Sequence, residues 1–204
     1  MAKLDVKAFR GVSDLYIAQM SVAEDGKETY GTPKQLAGVQ GITLDVNESQ
    51  STYYYDNKAS IVIASEGEDS ISLTVSRTDL ETRALIEGRE YDATSKAIFG
   101  ISKEKPYFAL AFRAKLTDGS EELYWFYKGK FTAGSKEFNT IDDGTDVSNM
   151  SYTFTAIYTN EEYEYKTGEK APAKYSVVSN DATVAANWFT AVQTPDLIAG
   201  ITTV

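Results

Sequence analysis

Two stretches of strict alternation dominate the chain. Ile42, Leu44 and Val46 alternate with Thr43, Asp45 and Asn47, and further on Ile71, Leu73 and Val75 alternate with Ser70, Ser72, Thr74 and Ser76. A period of two is that of a strand with one face on a core and the other in water. Here the wet face is mostly small hydroxyl residues. The first strand runs on past its core-facing residues as extended sequence from Glu48 to Asp56, through Tyr53, Tyr54 and Tyr55. At about 3.3 Å per residue such a strand reaches roughly 50 Å, longer than a small sandwich needs. The surplus, Tyr53 to Asp56, is therefore expected to reach a neighbouring subunit. Between Asn57 and Asp69, the triplet Ile61, Val62 and Ile63 sits between polar, acidic flanks. It is either an additional short strand or an apolar knob covered only on assembly, and the second reading is adopted.

The remaining pattern is read around this unit. Met1 to Ser13 is weakly patterned and predicts an N-terminal arm, Asp14 to Val22 a first strand, and Asp25-Gly26 a hairpin turn. Thr78-Asp79-Leu80-Glu81 has the form of a capping box with Thr78 as the cap. Leu80, Ala84 and Leu85 give the following helix its apolar side, and Gly88 its stop. Arg89 to Pro106 reads as a connection holding Ile98-Phe99. Phe108, Leu110, Phe112, Ala114 and Leu116 form one face of a strand that turns at Thr117 to Ser120 into a second, Leu123 to Phe131. That return strand carries Leu123, Trp125 and Tyr127 on one face and Tyr124 and Phe126 on the other, so both faces are expected to be covered. Met150, Tyr152, Phe154 and Ala156 again alternate with Ser151, Thr153 and Thr155. Tyr158 to Lys174 reads as a linker or hairpin, Tyr175 to Val178 as a short edge strand, and Val184 to Val192, with Trp188 and Phe189 adjacent, as a docking plug. The predicted fold is mainly β: two packed antiparallel sheets, a sandwich or partial barrel, with one flanking α-helix. Residues 1–13 form an arm, 14–158 the sandwich with an assembly loop at 48–69, and 159–204 a C-terminal extension or docking arm.

Composition narrows the chemistry. The 204 residues include no cysteine and no histidine, which removes disulfides, thiolate chemistry, the usual neutral-pH base and the commonest transition-metal ligand. Asp142-Asp143-Gly144-Thr145-Asp146 resembles the start of a calcium loop but lacks the later bidentate Glu. Glu121 and Glu122 are adjacent on a strand and point to opposite faces, so they cannot flank one sugar bond. Tyr53 to Tyr55 could stack bases, yet intersubunit packing suits tyrosine better. No enzyme, cofactor or metal is expected. A net charge of −10 argues against tight nucleic-acid binding. No apolar run approaches the roughly 20 residues of a membrane span, and Met1 to Ser13 lacks the core of a signal peptide, so manufacture and assembly in the cytoplasm are expected.

Tyr30 to Asn57 (YGTPKQLAGVQGITLDVNESQSTYYYDN), Ile71 to Gly88 (ISLTVSRTDLETRALIEG) and Lys105 to Phe131 (KPYFALAFRAKLTDGSEELYWFYKGKF) resemble the major tail proteins of long-tailed bacteriophages. The resemblance covers roughly residues 8–158. It implies a virion protein of the tail tube, in which hexameric rings stack into a hollow tube with a continuous β-barrel as its inner wall, through which DNA passes without specific binding. Its partners would be itself, the tape measure protein and the tail terminator protein, with no membrane. On that reading Thr43, Asp45, Asn47, Ser70, Ser72 and Thr74 face the lumen, and Tyr53, Tyr54, Tyr55, Asp56, Ile61, Val62 and Ile63 serve oligomerisation. The alternatives are the inner tube of a contractile tail or of a type VI secretion system, and a carbohydrate-binding β module suggested by the aromatics alone.

Overall fold

The alternating stretches all become strands in the computed structural model, which describes residues 6–24, 26–136, 138 and 148–200. In chain order these are β1 (Phe9–Val22), β2 (Glu28–Tyr30), β3 (Lys34–Gln35), β4 (Val39–Asp45), β5 (Glu48–Tyr55), β6 (Lys58–Glu66) and β7 (Asp69–Val75). Helix α1 (Leu80–Glu87) follows, then β8 (Arg89–Asp92), β9 (Ala97–Ser102), β10 (Tyr107–Leu116), β11 (Glu121–Lys136), β12 (Met150–Ile157), β13 (Glu162–Lys166), β14 (Glu169–Pro172) and β15 (Tyr175–Ser179). A 3₁₀ turn at Thr183–Asn187 and a short helix α2 (Pro195–Ile198) come last.

One antiparallel sheet carries the fold, in the order β2-β1-β10-β11-β12-β7-β4, with β3 added to β1 and β15 to β11. Strand β11 makes two layers of it. Its first half pairs with β10 and β15, and its second half, Lys128 to Lys136, pairs with β12. Gly129 stands where the partners change. A Cβ there would lie 2.4 Å from the Thr155 carbonyl oxygen and 2.5 Å from Cζ of Phe154, so only glycine lets β11 approach β12 this closely. The two packed antiparallel sheets are thus arms of one mainly β sheet that does not close into a barrel.

The core between the arms joins Ile17, Phe108, Leu110 and Phe126 to Ile71, Leu73, Tyr152 and Phe154, all fully buried. At about 1.5–3 kcal/mol for each buried large apolar side chain, this cluster dominates the stability of the fold. A second cluster lies on the outer face of β10 and β11, where Ala109, Ala111, Leu123, Trp125 and Tyr127 are roofed by Trp188 and Val192. This accounts for the two-sided β11: each face has its own cover. Trp188 is fully buried against its own chain; it accepts from Trp125 Nε1 through its carbonyl at 2.8 Å and donates from its own Nε1 to the Tyr124 carbonyl at 3.3 Å. The tryptophan read as a docking plug is therefore a lid on its own sheet.

Four local expectations are corrected. Strand β1 begins at Phe9 rather than Asp14, because Val12 and Ser13 pair with Ala114 and Arg113, with a bulge around Asp14 at φ 54°. The cap of α1 is Asp79, whose Oδ1 accepts from the Thr82 amide at 2.9 Å. Thr78 is instead buried beside the Tyr152 hydroxyl, and a carboxylate one residue later satisfies the free amides and favours the helix dipole as well. Gly88 ends the helix at φ 63°, ψ 55° as expected. Residues 89–106 hold a β8–β9 hairpin whose turn Asp92 stabilises, accepting from the Thr94 and Ser95 amides and the Ser95 hydroxyl. Finally, Ile61 to Ile63 belong to β6, the return strand of a hairpin, and not to an irregular loop. The Asp142 to Asp146 motif lies outside the described residues.

Candidate assembly surface

The outer face of the second layer is built row by row from strand register. Lys130 of β11 lies opposite Thr155 of β12, Thr155 opposite Ser70 of β7, and Ser70 opposite Asp45 of β4. The next row runs Thr132, Thr153, Ser72, Thr43, and Ser151 stands opposite Thr74 beyond it. Because successive side chains alternate faces, each of these positions turns away from the core that Phe131, Phe154, Ile71 and Leu73 fill. Five of the six residues expected on a lumen, Thr43, Asp45, Ser70, Ser72 and Thr74, thus share one face. Asn47 falls in the break between β4 and β5 and lies outside the sheet. The sequence reading missed that β12 and β11 extend this hydroxyl wall, although Ser151, Thr153 and Thr155 carry the same alternation.

Among the described residues no further strand flanks this layer, although on the β11 side Lys105 Nζ donates to the Phe131 carbonyl at 3.2 Å and Lys136 pairs with Glu87 of α1. Among the described residues β4 pairs only with β7, and β11 beyond Gly129 pairs only with β12. Since each neighbour in the order is antiparallel to the next, β4 and β11 run in opposite directions. Under the β4 edge, an apolar groove of about 570 Å³ is lined by Phe9, Val12, Ile42, Leu44, Phe112 and Tyr124.

Beyond β4 and β7 the chain continues into a free-standing hairpin, β5–β6, every residue of which is exposed. Its turn is Asp56-Asn57, with φ 48° and 61°, the left-handed pair that a two-residue type I′ turn demands. An Asp-Asn pair between extended runs was the signal that would have revealed the hairpin. Ser49 and Ser65 face each other with hydroxyls 2.7 Å apart, and Ser51–Ile63, Thr52–Val62 and Tyr53–Ile61 are cross-strand pairs. The arm brings all seven residues expected to serve oligomerisation together. Tyr53, Tyr54, Tyr55, Ile61, Val62 and Ile63 are between 47% and 68% exposed, and Lys58 is the cross-strand partner of Tyr55. At about 3.3 Å per residue the arm projects roughly 25 Å.

Features that suggest chemistry are absorbed by structure. Glu121 binds Arg113, which also holds Asp14 at 2.6 Å, and Glu122 accepts from the Tyr124 hydroxyl at 2.7 Å. Burial, followed by that bond, pushes the Tyr124 phenol far above its ordinary value. Trp125 and Trp188 are buried and offer no face for a sugar. Among the described residues no cluster of carboxylates could hold a metal ion, and no helix is long and apolar enough to cross a membrane. The sequence matches no family model, and no curated protein matches it.

Proposed function

We propose that this chain is a self-assembling structural subunit of a tube, the tail tube of a long-tailed bacteriophage, and acts without catalysis. One observation carries the reading: a four-stranded layer that is hydroxyl-lined on one face, packed on the other, and, among the described residues, without a further strand at either of two edges of opposite direction. Free edges invite pairing with another chain. Joining β4 of one copy to β11 of the next continues the antiparallel order, and a contact between unlike edges, repeated about an axis, closes a ring. The hydroxyl wall then lines the bore, where a surface rich in Ser and Thr and poor in Lys and Arg leaves passing phosphates unbound. The exposed aromatic arm gives each ring a second contact, toward a neighbouring subunit. The resemblance of residues 8–158 to major tail proteins points the same way and supplies the remaining expectations: six copies per ring, the tape measure and tail terminator proteins as partners, and a place in the virion.

The test is assembly itself. Concentrated protein is expected to form rings or tubes visible by electron microscopy, and truncating Tyr53, Tyr54 and Tyr55 to Ala should leave folded monomer. Loss of even one anchor of this kind costs about 2 kcal/mol or more at each interface. Sedimentation read beside circular dichroism decides: rings or tubes undiminished in the triple variant would remove the arm from the interface, and a wild-type chain that stays monomeric at every concentration would overturn the reading.

A further inference from the structure

Among the described residues the β5–β6 arm pairs only with itself, so its direction is decided at its root, Val46–Asn47 and Gly67–Glu68. There the two chains are bridged by the Gly67 amide, which donates to the Asn47 carbonyl at 2.8 Å. That bond holds the root together but does not orient it against the sheet.

A second set of contacts comes from the far end of the chain. Lys174 Nζ donates to the Gly67 carbonyl and to Asp69 Oδ1, each at 3.0 Å, and both side chains are buried, at 5% and 1% exposure. The same ammonium lies 4.9 Å from the ring centre of Tyr158, whose hydroxyl donates to Glu66, the last residue of β6. Lys174 is itself anchored: its carbonyl accepts from the Tyr127 amide at 3.0 Å, and its neighbour Ala173 exchanges hydrogen bonds with Thr159. Two side chains, Tyr158 just after β12 and Lys174 in the β14–β15 connection, thus grip the root of the arm at Glu66 and Gly67, with Lys174 seated on Asp69 at the start of β7. The other oxygen of Asp69 is buried without a hydrogen bond among the described residues, so the carboxylate depends on Lys174. A buried ion pair of this kind adds little net stability over an apolar pair, and its best-attested use is to select one arrangement among several.

We propose that Lys174, Asp69, Tyr158 and Glu66 form an aiming clamp that holds the arm at one angle in the free subunit. They are positioning residues: none needs to touch a neighbour, and their effect reaches the interface through the arm. The proposal rests on the reading of the arm as an assembly contact only for its biological purpose, because the angle is measurable in the monomer.

The chain has no cysteine, so spin labels at Ser51→Cys in the arm and Thr132→Cys in the sheet report one distance without background. The parent should give a single narrow distance distribution. Tyr158→Phe, which removes only the hydroxyl, and Lys174→Met with Asp69→Leu, which replaces the ion pair without stranding a charge, should broaden or split it while circular dichroism stays native. If the double variant does not fold, Tyr158→Phe alone decides. A parent-like distribution in every variant that folds would overturn the clamp. Assembly is scored separately on unlabelled protein. A broadened arm with undiminished assembly leaves the clamp standing and removes the arm from the interface, whereas slowed assembly with an unchanged distribution removes the clamp.

Discussion

At the scale of single residues, most of what looked like chemistry is tethering. Trp188, drawn from a segment outside the tail-protein resemblance, buries its whole indole and exchanges two hydrogen bonds with β11. Trp188→Ala should therefore lower stability by about 3–5 kcal/mol, the range for emptying a buried aromatic site, as read from urea unfolding. Glu87 ties α1 to β11: it accepts from Arg83 Nε at 3.1 Å and pairs with Lys136. Burial alone would raise its carboxyl, but the hydrogen bonds and charges of Lys136 and Arg83 outweigh that and hold it below its ordinary value. A carboxyl depressed in the folded state contributes stability that is fully present above the ordinary glutamate range and is lost as pH falls through the folded value. Glu87→Gln should consequently flatten the acid side of a stability-against-pH curve while shifting neutral stability down; an unchanged acid side would mean that Lys136 exerts no net pull.

At the scale of elements, the contrast is between β7, whose alternate residues Ile71, Leu73 and Val75 are fully buried, and β5–β6, where nothing is. A two-stranded hairpin without a covered face is marginal in water. Amides of β5 and β6 should exchange with solvent well before those of β7 and β12 in the monomer, since local opening tracks missing burial. On the proposed function they become protected in assembled tubes, and equal exchange in both states would place the arm outside the contact. The element was legible only in part. Its aromatics and aliphatics stood out, but Asn57 to Asp69 read as a loop because apolar residues in adjacent positions show no period of two. A hairpin exposed on both faces has no reason to alternate.

At the scale of the whole molecule, the open layer has opposite charges at its two margins, Asp45 beside the β4 edge and Lys130 beside the β11 edge, in the same row of the sheet. Opposite charges on unlike edges favour head-to-tail joining and penalise like edges meeting. On the proposed function, Asp45→Lys should slow ring formation and Lys130→Asp should restore it in the double variant, as followed by light scattering at low and high salt. Assembly of the single variant at the parent's rate would show that these edges do not meet. The acidic surplus of the chain, −10 overall, adds a general repulsion between subunits, so salt should speed assembly of the parent as well.

The sequence alone determined the class of the molecule and most of its strands, because a half-buried strand writes its two faces into alternate residues, as in Ile71 to Val75 and Met150 to Ala156. It also marked the hydroxyl face and the aromatic arm, both properties of neighbouring residues. Tertiary structure decided what depends on residues far apart in the chain. That β11 serves both layers follows from a close approach at Gly129 that no pattern encodes. That Trp188 covers its own sheet, and that Lys174 reaches back 105 residues to Asp69, follow from which surfaces were left bare once the main core had formed. Exposure in a sequence is a local property, whereas cover comes from wherever the folded chain happens to return.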